Sequence, residues 1–158
     1  MFLEVMLMKI NKYLKELGLE WYDLPGNYDE KLEEEKEDVI AADCRNKEDE
    51  EGFCTFEFFS LDYTLSLFIY SKLCFFREHI ADLATPGCLT SHHYSLDKEE
   101  SKKQSAAAHQ KWLEILDKMI EAFRIQIQGE RKGYEGIDRE KQREGMQLFI
   151  EYYNCLWY

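Results

Sequence analysis

The stretch WLEILDKMIEAF, residues 112 to 123, constrains the fold more than any other part of the chain. Trp112, Ile115, Leu116, Met119, Ile120 and Phe123 recur at the three-and-four spacing that lines one side of an α-helix, and Glu114, Asp117, Lys118 and Glu121 fill the other. A helix so divided is stable only when its apolar side is covered by another element. The spacing predicts a core helix from about Ala106 to Gln128.

The same period recurs elsewhere. LEVMLMKINKYLKEL places Leu3, Met6, Ile10, Tyr13, Leu14 and Leu17 on one face, and Gly18 ends that helix. Pro25-Gly26 then forms a turn, with Trp21, Tyr22 and Tyr28 as aromatic anchors. LDYTLSLFIYSKLCFFREHI follows a Ser60 cap, with Asp62 at the positive end of the dipole. Its expected buried residues are Leu61, Leu65, Phe68, Ile69, Leu73, Phe76 and Ile80, and its apolar character all round marks a central helix. In the last helix, REKQREGMQLFIEYYNCLWY, Met146, Phe149, Ile150, Tyr153 and Trp157 continue the stripe. GFCTFEFF fits a short strand or an irregular aromatic plug, of which the plug is preferred. The expected fold is therefore all-α, a compact bundle of about four main helices forming a single domain over residues 1–158.

Length and composition agree with a packed domain. A chain of 158 residues with 45 % hydrophobic and 15 % aromatic content is too apolar for a disordered one. The net charge of −12 argues against nucleic acid or an anionic membrane as a direct partner, because both demand cations on the protein. It favours solubility, or docking on the basic surface of another protein. Residues 29–52 hold twelve acidic and four basic side chains, so −8 of that excess lies in one segment. Its first half, YDEKLEEEKEDVIAA, fits a helix capped by Asp29; its second half, RNKEDEEG, reads as a solvated loop. The segment is expected to be mobile and exposed, or a partner-binding surface.

Five cysteines, Cys44, Cys54, Cys74, Cys88 and Cys155, form an odd set without CxxC spacing, which fits reduced thiols in a cytosol better than a secreted disulfide framework. Cys74 and Cys155 read as small buried hydrophobes. The opening MFLEVMLM lacks a cleavage site, and no run reaches the ~18 apolar residues of a membrane span.

Three stretches, SLDYTLSLFIYSKLCFFREH, KWLEILDKMIEAF and EGMQLFIEYYNCLWY, resemble in order the motifs of small uncharacterised proteins encoded by tailed bacteriophages and their prophages. The resemblance covers about residues 57 to 158. It implies a phage origin and expression in the cytoplasm of a bacterial host, and it carries over no catalytic residue. The acidic N-terminal region and the TPGCLTSHH loop depart from the pattern.

Signals for chemistry are sparse. Glu114 and Asp117 form an E-x-x-D pair on one helix face, a spacing by which two carboxylates share Mg²⁺ beside a phosphate. All-α nucleotide pyrophosphohydrolases use such pairs with an EExxE helix, which Glu33, Glu34 and Glu37 resemble loosely, although the gap between the pairs is longer here. The competing assignment is a solvated face, or ion pairs with Lys111 and Lys118. Cys88, His92, His93 and His109 are soft donors without recognisable zinc spacing, and a Cys88–histidine nucleophile lacks an accompanying third residue. No loop of the GxxxxGK[ST] or GxGxxG kind occurs, and the bases from Arg131 to Arg143 alternate with glutamates.

These features predict a non-enzymatic binding protein without cofactor or metal, modulating or inhibiting a host defence or nucleic-acid-processing protein. Glu33, Glu34, Glu35 and Glu37 would steer it to a basic surface, and Trp21 and Tyr22 would anchor it. The alternatives are a sponge for a small molecule or nucleotide signal, held by aromatic stacking and a few basic side chains, and a Mg²⁺-dependent pyrophosphohydrolase using Glu114 and Asp117.

Overall fold

A computed structural model describes residues 10–20, 23–24, 61–83, 85–90 and 98–156. Among these the fold is all-α, with no strand: α1 (Lys12–Glu16), α2 (Leu61–His79), α3 (Gly87–Thr90), α4 (Lys98–Lys132) and α5 (Arg139–Tyr152), then a 3-10 turn at Tyr153–Cys155. The acidic segment 29–52, GFCTFEFF, the Ser60 cap and Trp157 lie outside the described residues. The chain divides into two compact units, Met1–Phe68 and Ile69–Tyr158, and α2 begins in the first and ends in the second.

In the first unit the helix expected up to Leu17 is interrupted. Asn11 is extended at φ −112° and ψ 174°, and its side chain accepts from the Tyr13 and Leu14 backbone N–H groups at 3.1 and 3.2 Å. It is therefore the N-cap of α1, which is only five residues long. Gly18 ends the helix as expected, at a φ of +72° that a side chain would disfavour. Leu14, Leu19, Leu24 and Leu67 are fully or almost fully buried. Ser66, buried on α2, donates to the Asp62 carbonyl one turn back at 2.6 Å, which satisfies its hydroxyl within the helix.

The second unit is built on the hairpin of α4 and α5. Helix α4 runs 35 residues, longer at both ends than the apolar stripe predicts. Glu99 and Glu100 sit in its first turn and Arg131 and Lys132 in its last, each sign complementing the local end of the dipole. Between them and Trp112, the run AAA at 106–108 is strong helix former, so the helix continues through residues that are at most half-buried. No residue of α4 before Trp112 is buried. Gly133, at φ +87°, ends α4, and Asp138 caps α5 by accepting from the Lys141 backbone N–H at 3.0 Å.

The stripe itself is in the core: Trp112, Ile115, Leu116, Met119 and Phe123 are buried, joined by Ala122, Ile125 and Ile127. The two helices touch closely at Gly145. A Cβ placed there would collide with the Lys118 carbonyl oxygen and lie 2.6 Å from the Ala122 Cβ, so only glycine permits this crossing. Phe149 meets Phe123 edge to face at 5.1 Å, and Tyr152 lies 5.9 Å from Trp112. The inner row of α5 is thus Gly145, Phe149 and Tyr152. Ile150 and Tyr153, expected inside, are 76 % and 62 % exposed. Polar links close the rim of the hairpin: Lys118 to Glu144 at 2.6 Å, Gln142 to Gln126 at 2.5 Å, and Lys141 to Glu121 at 3.2 Å.

Candidate functional site

Helix α2 departs most from its expected burial. In the first unit its inner side is Ser66 and Leu67, while Leu61, Leu65 and Phe68 are 44 to 48 % exposed. These three sit at i, i+4 and i+7, so they form one row on the helix surface. In the second unit Tyr70, Ser71 and Leu73 are buried, Ile69, Phe76 and Ile80 are half-buried, and Phe75 is exposed with its ring 4.5 Å from that of His79. The apolar residues on both sides do not make α2 a central helix: one side is packed and the other faces solvent. A row of half-exposed apolar side chains is the kind of surface that a partner covers.

The E-x-x-D pair is occupied by protein groups. Asp117 receives the Arg77 guanidinium, Nε at 2.9 Å and Nη2 at 3.4 Å, and Glu114 accepts from Gln110 Nε2 at 3.2 Å. The expected ion pairing is corrected here, because the partner of Asp117 is Arg77 and Lys118 turns to Glu144. Both carboxylates are exposed, and no cluster of three or more His, Cys, Asp or Glu side chains suited to a metal occurs among the described residues. A cation shared by Glu114 and Asp117 would have to displace the Arg77 fork.

The carboxylate most strongly held on α4 is Glu121. Arg124 grips it with two bonds of 2.6 Å and Lys141 adds a third contact, which together hold its pKa below the usual carboxylate value against the opposing effect of burial. This cluster lies along the α4–α5 rim, where it fixes helix register.

A separate open cleft of about 420 Å³ lies in the second unit, lined by Asp82, Leu83, Thr85, Lys102, Ser105, Ala106 and His109. His109 is held from both ring nitrogens: Thr85 Oγ1 is 3.0 Å from Nδ1, and the Asp82 carboxylate is 3.4 Å from Nε2. Such a site can orient a small polar molecule between a hydroxyl, an imidazole and the Lys102 ammonium. The sequence offers His109 as a soft metal donor or as one of the histidines that could partner a Cys88 nucleophile. The partners of His109 come from the turn after α2, 24 residues away for Thr85, and no local spacing announces them.

Cys88 likewise meets a distant residue. Its Sγ lies 3.7 Å from that of Cys155, and it makes no hydrogen bond to His109. Trp21, Tyr22, Glu33, Glu34, Glu35, Glu37, His92 and His93 lie outside the described residues. No described helix is long and apolar enough to cross a membrane. Comparison with protein-family models, curated proteins and solved structures returned no match for the chain.

Proposed function

We propose that the chain is a non-enzymatic binding protein that docks on a basic-rimmed apolar groove of another protein. The observation that carries this reading is the exposed row Leu61, Leu65 and Phe68 on α2. Burying such a row supplies the non-directional part of an interface, at roughly 25 cal/mol per Å² before the costs of association. The net charge of −12, concentrated in residues 29–52, supplies the steering part: Glu33, Glu34, Glu35 and Glu37 attract a basic surface, with Trp21 and Tyr22 as anchors. The resemblance to phage proteins supports a partner in a bacterial cytoplasm, where modulation or inhibition of a host defence or nucleic-acid-processing protein by occupancy fits an acidic ligand.

Affinity capture from the host, repeated with two variants, tests this. Changing Leu61 and Leu65 to Ser should abolish capture with helix content retained. Changing Glu33, Glu34, Glu35 and Glu37 to Lys should remove both capture at low salt and its salt dependence. Capture of the same protein by both variants at parental levels overturns the reading.

The His109 cleft favours a second reading, a small-molecule binder. Among the described residues its lining offers Lys102, hydroxyls and the His109 imidazole but no Phe, Tyr or Trp, so it suits a compact polar ligand better than a stacked base. A thermal-shift panel should then show stabilisation that His109→Ala removes, and silence across nucleotides and small polar metabolites counts against it.

A further inference from the structure

We propose that Cys88 and Cys155 form a thiol–disulfide modification site that ties α3 to the turn after α5. The two thiols stand 67 positions apart in sequence, yet their sulfur atoms lie 3.7 Å from one another. Cys88 is exposed on the four-residue α3, and Cys155 is half-buried at the end of the 3-10 turn. Accessibility makes Cys88 the attacking thiol and Cys155 the resolving one. Burial and the hydrogen bond with Cys88 also push the Cys155 thiol pKa up, which lowers its thiolate fraction.

The oxidant is a low-molecular-weight disulfide, the class of compound that sets thiol poise in a cytosol. The Cys88 thiolate attacks one sulfur of RSSR, forming Cys88–S–SR and releasing RS⁻. Cys155 gives its proton to solvent and attacks the Cys88 sulfur, and the second RS⁻ leaves. The chain loses two electrons and two protons, and RSSR becomes two RSH. Closing the gap from 3.7 Å to a bond of ~2.05 Å draws α3 and the terminal turn together. The link then spans the α4–α5 hairpin, whose ends it constrains in the unfolded chain as well. Cys74, on α2, is half-buried and supplies an internal comparison.

The test is incubation of the full chain with excess oxidised glutathione, alkylation of remaining thiols, and mass mapping of unreduced peptides. The parent should lose two hydrogens and give a linked Cys88–Cys155 peptide, and its denaturation midpoint should rise on oxidation and return on reduction. Cys155→Ser should trap glutathione on Cys88, whereas Cys74→Ser should leave the link intact. Circular dichroism of each serine variant establishes that it is folded. Parental Cys88 that accumulates glutathione to the level of the Cys155→Ser variant overturns the proposal. So does Cys88 that remains open to alkylation throughout, or that links to a different thiol.

Discussion

Helices α2 and α4 both carry large apolar side chains, but α4 confines them to one side and α2 does not. Along α4 the row from Trp112 to Phe123 is buried, and the opposite side presents Lys111, Glu114, Asp117 and Lys118 to solvent. Along α2 Leu67, Tyr70 and Leu73 are buried, while Leu61, Leu65, Phe68 and Phe75 are 44 to 51 % exposed. Charge on one side of a helix settles its orientation, because an ion cannot enter the core cheaply. A helix without that segregation is oriented by what packs on it. Its second apolar side is left over, and this leftover side is where the binding reading rests.

The largest test of the comparison is Trp112→Ala, which should cost about 3–5 kcal/mol in chemical denaturation, since the fully buried indole leaves a cavity beneath Phe76 and Tyr152. On α2 the corresponding inner residue is Leu67, and Leu67→Ala should cost about 2–5 kcal/mol for the same reason. A loss below ~1 kcal/mol there would mean that the inner side of α2 has been misassigned. Gly145→Ala comes next. The added methyl meets the Lys118 carbonyl and Ala122, so roughly 1–3 kcal/mol of overpacking should outweigh the gain of about 1 kcal/mol in helix propensity. A more stable Gly145→Ala protein would show that the α4–α5 seam is looser than its geometry.

Smaller effects belong to the charged side of α4. Glu121 has a lowered pKa in the folded chain, so the stability it adds is complete above the ordinary carboxylate value and is lost as pH falls through its folded value. Glu121→Gln should flatten that acid limb of the stability profile and leave its alkaline side in place, as read by denaturation midpoints across pH. Asp117→Ala and Glu114→Ala should each cost less than about 1 kcal/mol, because both carboxylates are exposed. If either variant keeps its stability but loses capture of the partner, the polar side of α4 joins the binding surface.

The α4–α5 hairpin was legible because its signals are local and agree: an apolar stripe on each helix with charges opposite it, although α4 runs to Lys132, past its expected end at about Gln128. The start of α4 was not, since Lys98 to Ser105, ahead of the expected start at Ala106, carry no fully buried apolar stripe and owe their helix largely to propensity and end charges. Periodicity also ran past Asn11, whose side chain makes a cap by bonding to backbone rather than by contributing to the apolar pattern. In α2 the apolar period fits more than one face, so the row chosen from sequence as buried included the exposed one. The His109–Thr85 and Cys88–Cys155 contacts join residues 24 and 67 positions apart, and no pattern along the chain encodes such meetings. The acidic surface was visible as composition, which fixes charge but not the shape that presents it.

The leading part of α4, which contains no fully buried residue, has a kinetic consequence. At 1.5 Å per residue α4 is roughly 52 Å long and α5 roughly 21 Å, so the shorter helix covers less than half of the longer one. Amide protons beyond Trp112 are shut in by the seam and should exchange with solvent deuterium only when the hairpin opens as a unit. Those from Lys98 to Lys111 need only a local fraying of a turn or two. One continuous helix should therefore carry two exchange regimes, with the change of rate falling near Trp112.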